Sequence, residues 1–479
     1  MTDILLTHGY CLDEDPKERE VMKPYPPLGL LYVAAYLRRE GLSVEVFDTT
    51  FATRDALAAR LGAAPAGVLG VYTNLITRAS VLDIVARAKS HGWTVLLGGP
   101  EAANYPAEYL AHGADVVVFG EGEETMVELL PALDERGPHR LHGIAGTAFR
   151  DEGGAVVANP DRPQIRDLDA LPWPARDAID VGRYVDVWRT HHGTGSVNLI
   201  TARGCPYRCR WCSHAVFGYT YRHRSVGGTA DELEFLAEHY RPDMVWYSDD
   251  VFTINHRWLY EYAAELKRRG LRVPFETISR ADRMMKDDVL RTLAELGCWR
   301  IWIGAESGSQ RILDAMERGV TVEQVLSATR AAKRHGIQVG MFLMWGYDGE
   351  TVDDIAATVE LVRRADPHVF LTTVAYPIKN TPYFQQLDDR VVATRDWAQA
   401  TDRDYDVRGR YPRELYRHAD RWLRQDVEAH RLGETDGAAA REEALKARAA
   451  LLALAGNGAG GGACGPASEQ GGAHRAPAA

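Results

Sequence analysis

Two periodicities alternate along this chain, and that alternation constrains its fold more than any other feature. Short apolar runs, ILLTH (4–8), VEVFD (44–48), GVLGVYT (67–73), TVLLGG (94–99) and DVVVFGEGE (115–123), are separated by helical patterns such as GLLYVAAYLRREG (29–41) and SVLDIVARAKSHG (80–92). Each of those helical stretches ends on a glycine, which suits the residue just past a helix. Strands alternating with helices build right-handed βαβ units, so residues 1–135 predict an α/β domain with a doubly wound, Rossmann-like parallel sheet. Ligands of such sheets sit beyond the carboxyl ends of the strands. A second series begins at Val197: VNLITARG, DMVWYSDDVF, VPFETISR, WRIWIGAES, IQVGMFLMWGY and FLTTVAYP. Six βα units over 196–390 predict a partial or closed parallel barrel with its site at the carboxyl ends of the strands. Residues 136–195, rich in proline and including DRPQIRDLDALPWPARDAI, read as a linker with a small hairpin; 391–455 read as helical. The segment 456–479 is too rich in Gly, Ala and Pro to bury an apolar face, which predicts a disordered tail.

The sequence has 479 residues, 46% of them hydrophobic and 26% charged, the balance of a soluble globular protein. No apolar run is long enough to span a membrane, and MTDILLTHGYCLDED lacks the basic and apolar regions of a signal peptide, so the cytoplasm is expected. A net charge of −11 without a basic stripe argues against nucleic acid and for a small-molecule substrate. Of six cysteines, Cys205, Cys209 and Cys212 crowd together while Cys11, Cys298 and Cys464 are scattered. Such crowding points to metal or cluster binding rather than to disulfides.

The crowded cysteines lie in RGCPYRCRWCSH (203–214), directly after the strand signal VNLITA. Three thiolates on a tight loop can ligate three irons of a [4Fe-4S] cubane and leave the fourth without a protein ligand. A zinc site is the other reading, and it would need a fourth ligand such as His214 or His223.

The cysteine loop resembles that of the radical SAM superfamily, and the resemblance covers roughly residues 1–390. It implies that the open iron chelates S-adenosylmethionine (SAM) and that reductive cleavage yields a 5′-deoxyadenosyl radical, with an electron from a donor such as flavodoxin or ferredoxin. It further implies that Trp211 packs on the adenine and that Asp249 and Asp250, in MVWYSDDVFT, face the active site. By the same resemblance, Glu306 and Ser309 of GAESGS, with Arg280, contact SAM. From residue chemistry alone, the two aspartates can equally cap the next helix, and Arg280 and Glu306 can form a plain salt bridge. Two loops depart from the family pattern, WGYDGET (345–351) and YPIKNTPY (376–383), which makes Tyr347, Asp348 and Lys379 candidates for addressing substrate.

PYPPLGLLYVAAYLRREGLSVEVFD (24–48), LLGGPEAANYP (96–106) and FGEGEETMVELL (119–130) resemble the cobalamin-binding domain that precedes many radical SAM domains. That likeness implies a corrin surrounded by Thr73 and Asn74, Gly98 and Gly99, and Gly120 and Gly122; a vestigial domain without the cofactor is the other reading. No D-x-H-x-x-G motif occurs, so no histidine is expected below the cobalt. The domain pair implies methylation of an unactivated carbon, and the Ala/Arg/Gly-heavy composition together with the family's usual work points to secondary metabolism such as antibiotic biosynthesis. A cobalamin-free dehydration, epimerisation or rearrangement of a sugar-like substrate is the alternative, in which Tyr219 or Tyr221 returns a hydrogen atom and the aspartates assist loss of a hydroxyl. A non-catalytic redox or cobalamin carrier is a third reading, against which stands the missing fourth cysteine.

Overall fold

The computed structural model describes residues 2–63, 65–133 and 138–458. The first sheet contains β1 (Ile4–His8), β2 (Val44–Phe47), β3 (Val68–Tyr72), β4 (Thr94–Gly98), β5 (Val116–Val118), β6 (Thr147–Arg150) and β7 (Val156–Ala158) in the order β2-β1-β3-β4-β5-β6-β7. The first five strands are parallel, with Leu5 opposite Leu69 and Leu96 opposite Val116. Helices cover both faces, so successive side chains enter two cores: Leu5, Leu69, Val71, Val95 and Leu97 on one side, Ile4, Leu6, Leu96, Val116 and Val118 on the other. Burial on both faces is why these strands read as unbroken apolar runs rather than as alternating ones. The hairpin expected in the linker is β6–β7, and it extends this sheet: β6 pairs antiparallel with β5, Ala148 opposite Val117.

The second sheet contains β8 (Ser196–Leu199), β11 (Met244–Tyr247), β12 (Phe275–Ser279), β13 (Cys298–Glu306), β14 (Gln338–Trp345) and β15 (Val369–Val374). All are parallel in the order β15-β14-β13-β12-β11-β8, and the two end strands do not pair, so the barrel is partial and open. An antiparallel ribbon, β9 (Ala202–Arg203) with β10 (Arg222–His223), brackets the cysteine loop. Outward residues such as Val245, Phe275, Ile301, Ile303, Val339 and Met341 pack into one core with the surrounding helices. On the inner face Trp302 stacks on Phe342 with ring centroids 4.9 Å apart, and Gly340 makes room for the indole, since a Cβ there would lie 2.4 Å from it. The segment Pro24–Pro27 closes the amino end of β8: Trp188 Nε1 donates to the Pro24 carbonyl (2.7 Å), Asn198 Nδ2 to that of Pro26 (2.9 Å), and Tyr25 Oη lies 3.3 Å from Ser196 Oγ.

Buried ion pairs join the two domains. Arg203 donates to Glu121 (2.7 Å) and Glu123 (2.6 Å), and Arg222 donates to the other oxygen of Glu121 (2.7 Å). Arg78, fully buried, donates to Glu101 (2.6 Å), to the Ala400 carbonyl (2.8 Å) and to Asp402 (3.0 Å), and so ties the first domain to the region after the barrel. That region holds a small ribbon, β16 (Val391–Val392) with β17 (Asp406–Val407), and the helices Arg413–Asp436 and Ala438–Gly458, whose Leu415, Trp422 and Leu451 join the barrel core. The segment 456–479 lies outside the described residues beyond Gly458. Among the described residues no helix is long and apolar enough to cross a membrane.

Candidate active site

The cysteine loop leaves β9 through Gly204, whose φ of +86° and close approach to the Thr220 carbonyl (2.3 Å from an added Cβ) exclude a side chain. Two backbone bonds anchor it: Arg210 N–H donates to the Met316 carbonyl (3.1 Å), and Tyr383 N–H to that of Arg210 (2.9 Å). Cys205, Cys209 and Cys212 are all free thiols, and Cys209 is the most enclosed at 4% exposure. Among the described residues, no three His, Cys, Asp or Glu side chains converge tightly enough to form a ready-made group for one metal ion. Cationic groups surround Cys209 instead: Arg280 Nη1 and Arg318 Nη1 each lie 3.8 Å from its Sγ. The Cys212 thiol hydrogen bond first, and then the Arg318 and Arg280 guanidiniums, hold Cys209 down at about 5, while Cys212 is driven up.

Arg280 is buried between strands, donating to Asp282 (2.9 Å) and the Arg318 carbonyl (2.8 Å), with its guanidinium 3.6 Å above the Tyr207 ring. Glu306, at the end of β13, has a left-handed backbone (φ +58°), and burial pushes its carboxyl up to about 7 against the opposing Arg318. Its Oε1 lies 3.9 Å from Arg318 Nε. Ser309 Oγ donates to Asp354 (2.6 Å), and Trp211 packs against the cluster of Ile312, Leu313 and Met316. The two aspartates part company. Asp249 does not face an open site: its carboxylate accepts from the Thr201 N–H (2.7 Å), the Ala202 N–H (3.2 Å) and the Thr201 hydroxyl, clamping the chain before the cysteine loop. Burial raises it to about 6 despite those bonds. Asp250 points the other way, into a cavity.

That cavity, ≈ 420 Å³, lies between the two domains. The first domain contributes Gly98, Gly99, Gly120 and Gly122 together with Leu6, Val71 and Met126; the second contributes Ile200, Arg203, Asp250 and the cysteine-loop segment 213–218. At Gly120 (φ +75°) an added Cβ would meet nothing within 4 Å, so the glycine leaves open space toward the cavity. Thr73 and Asn74 do not line it. The Thr73 hydroxyl donates to the Gly98 carbonyl (3.0 Å) and accepts from Ala102 N–H (2.9 Å), and Asn74 Oδ1 accepts from Ile76 N–H (3.1 Å), so both shape the turn behind the wall. Tyr219 is exposed and stacks on His214 at 4.0 Å, and the nearest ring to Tyr221 is His223 at 5.9 Å; neither tyrosine lines the cavity.

The radical SAM superfamily matches residues 199–362, and the B12 binding domain matches residues 19–130. The chain is a radical SAM enzyme with a B12-binding domain. It is 29% identical over 401 residues to an uncharacterized methyltransferase of Pyrococcus horikoshii, covering 82% of this chain and 85% of that one. It is 26% identical over 381 residues to the anaerobic magnesium-protoporphyrin IX monomethyl ester cyclase of Rubrivivax gelatinosus, covering 78% and 68%. Among solved structures, the radical SAM methyltransferase TsrM of Kitasatospora setae, with cobalamin and a [4Fe-4S] cluster bound, shares the fold: TM-score 0.68 at 20% identity, covering 94% of this chain and 100% of that one.

The cofactors of this radical SAM enzyme are therefore a [4Fe-4S] cluster, SAM and cobalamin. Its residues fit them. Three free thiols on one loop with two guanidiniums against the middle sulfur suit an anionic cluster, and a cavity walled by strand-end glycines suits a broad flat ring. His214, from the cysteine loop, is the histidine that lines the cavity; its Nδ1 lies 3.1 Å from the Gly218 carbonyl, while its buried Nε2 has no partner.

The two divergent loops of the radical SAM enzyme turn out to be structural. Lys379 Nζ bonds Glu108 (2.8 Å) and sits 4.4 Å from the Tyr105 ring centroid; Asp348 pairs with Arg390 (2.8 Å); Tyr347 is buried in a stack on Tyr383 at 4.5 Å. Glu350 closes the first loop by accepting from Gly346 N–H (2.6 Å), and burial pushes its carboxyl up to about 8, its other oxygen having no partner. A carboxyl raised by folding stabilises the protein below its unfolded value of about 4.5 and loses that contribution as pH rises through 8. Urea midpoints of the wild type should accordingly fall between pH 5 and pH 8.5 more steeply than those of Glu350→Gln; parallel curves would contradict a protonated Glu350.

Proposed function

We propose that this enzyme methylates a carbon bearing no activating group in a small natural product, after removing a hydrogen atom from that carbon. The observation that carries the reading is the shared cavity: glycines of the B12-binding domain form one wall, and Asp250 with the segment after Cys212 forms the other. When bound, the cluster and SAM supply a carbon-centred radical, and cobalamin supplies a methyl group held beside the substrate. The chain's own work is placement and exclusion of water, because joining a methyl to an unactivated carbon depends on proximity rather than on acid–base assistance. Cys205, Cys209 and Cys212 would hold the cluster; Arg280, Glu306, Ser309 and Trp211 would serve SAM. Asp250 lines the cavity with its side chain accessible, and His214 lines it too, so this pair is suited to receive a hydrogen-bond donor of the substrate. Electrons would come from a flavodoxin or ferredoxin. Methylation is favoured over the cobalamin-free alternative by the partners that Tyr347, Asp348 and Lys379 find within the protein and by the place of Tyr219 and Tyr221 outside the cavity lining.

Anaerobically reconstituted protein given SAM and dithionite should release 5′-deoxyadenosine, and protein incubated with hydroxocobalamin should keep a corrin absorption spectrum through gel filtration. No deoxyadenosine would remove the radical reading; no corrin would remove methylation. Gly98→Leu supplies a finer test, because a Cβ there meets nothing nearer than the Val118 carbonyl at 3.8 Å and the added side chain would enter the cavity. Corrin retention should fall about tenfold, the effect of losing roughly 1.4 kcal/mol of binding, with iron content per chain unchanged.

A further inference from the structure

Arg318 has no part in any contact the sequence motifs suggest, yet it stands against the cysteine loop. It is 7% exposed, with Nη1 3.8 Å from Cys209 Sγ, Nη2 donating to the Gly304 carbonyl (3.0 Å) and Nε buried without a partner. Gly304 makes its place: a Cβ there would lie 2.7 Å from Arg318 Nη2 and 2.6 Å from Glu306 Oε1. Arg280 approaches the same sulfur at the same distance, but its charge is answered by Asp282 at 2.9 Å. Arg318 has no carboxylate so close; Glu306 is 3.9 Å from its Nε. A buried guanidinium without a hydrogen-bonded counter-ion is costly unless something else supplies negative charge, and the group facing it is the Cys209 sulfur.

We propose that Arg318 is a positioning residue for electron entry: it holds a positive charge, answered only by the more distant Glu306 carboxyl, against the Cys209 corner of the iron–sulfur centre and so favours its reduced form. The inference rests on the cluster reading above. One electron moves from a low-potential one-electron donor onto the centre; no bond forms or breaks. The charge stands 3.8 Å from one sulfur and is not itself a ligand, so the effect belongs to the potential rather than to cluster assembly.

The test uses full-length protein reconstituted with iron and sulfide, without SAM, titrated potentiometrically with dithionite and read by EPR. At the wild-type midpoint, Arg318→Gln should lower the ratio of reduced to oxidised centres about tenfold, equivalent to about 59 mV for one electron. Arg318→Lys, which keeps the charge, should stay within about threefold. Glu306→Gln, titrated at pH 8.5, should move the ratio the opposite way, and it decides the matter if the Arg318 variants fail to fold. A midpoint unchanged in Arg318→Gln, or in Glu306→Gln when that variant alone is available, overturns the proposal. Absence of iron and sulfide from reconstituted wild type would instead overturn the cluster reading.

Discussion

Cys209→Ala protein is expected to yield no 5′-deoxyadenosine above background while eluting and melting like the wild type. The loss should exceed roughly a hundredfold, since mutations that merely touch the partners of metal ligands already cost 10–100-fold. Cys209 is the sulfur that both Arg280 and Arg318 approach, so its removal takes away a ligand together with the sulfur against which both guanidiniums stand. The fold should survive because the loop hangs on backbone bonds, Arg210 to Met316 and Tyr383 to Arg210, that involve no sulfur. Deoxyadenosine production by the variant, followed by chromatography, would contradict the assignment of Cys209; a collapsed melting curve would contradict the anchoring.

The second large effect is on stability. Arg78→Ala should lose about 3–5 kcal/mol, the usual consequence of removing one member of a buried ionic group. Glu101 and Asp402 would remain buried with no cation, and the Ala400 carbonyl would lose its donor. Burial already pushes Glu101 up to about 7 with Arg78 present, so its protonation should be easier still without Arg78. A carboxyl raised by folding is tolerated below its unfolded value and penalises the folded state as pH rises. The variant's deficit in urea midpoint should therefore be larger at pH 8 than at pH 5. Equal deficits at the two values would show that Arg78 acts through packing on Tyr105 and Trp397, over whose rings it lies at 4.5 Å and 4.7 Å.

What could be read in the sequence was what is local in it. Strands β1 to β4 lie within a residue of the apolar runs, and the three cysteines share one loop because their spacing allows nothing else. Gly98, Gly99, Gly120 and Gly122 line the cavity because strand ends of a parallel sheet converge on one edge. Thr73 sits at the same edge, but its hydroxyl finds a carbonyl on the neighbouring strand, a choice no local pattern reports. Asp249 and Asp250 are adjacent, so opposite side-chain directions on leaving β11 send one to the backbone of Thr201 and the other to the cavity. Arg318 was invisible because its partner, Cys209, lies 109 residues away, and Lys379 misled because Glu108 lies 271 residues away.

Arg203 stands two residues before Cys205 and grips Glu121 and Glu123, which alternate with the cavity's glycines at 120 and 122. The spacing between the two cofactor-bearing walls is thus set by hydrogen bonds at the site itself. Prising the halves apart would strand a buried guanidinium, at a cost of about 3–5 kcal/mol. A swinging-arm delivery of the kind carrier domains use is foreign to such a joint; here the reactants must come to a fixed gap.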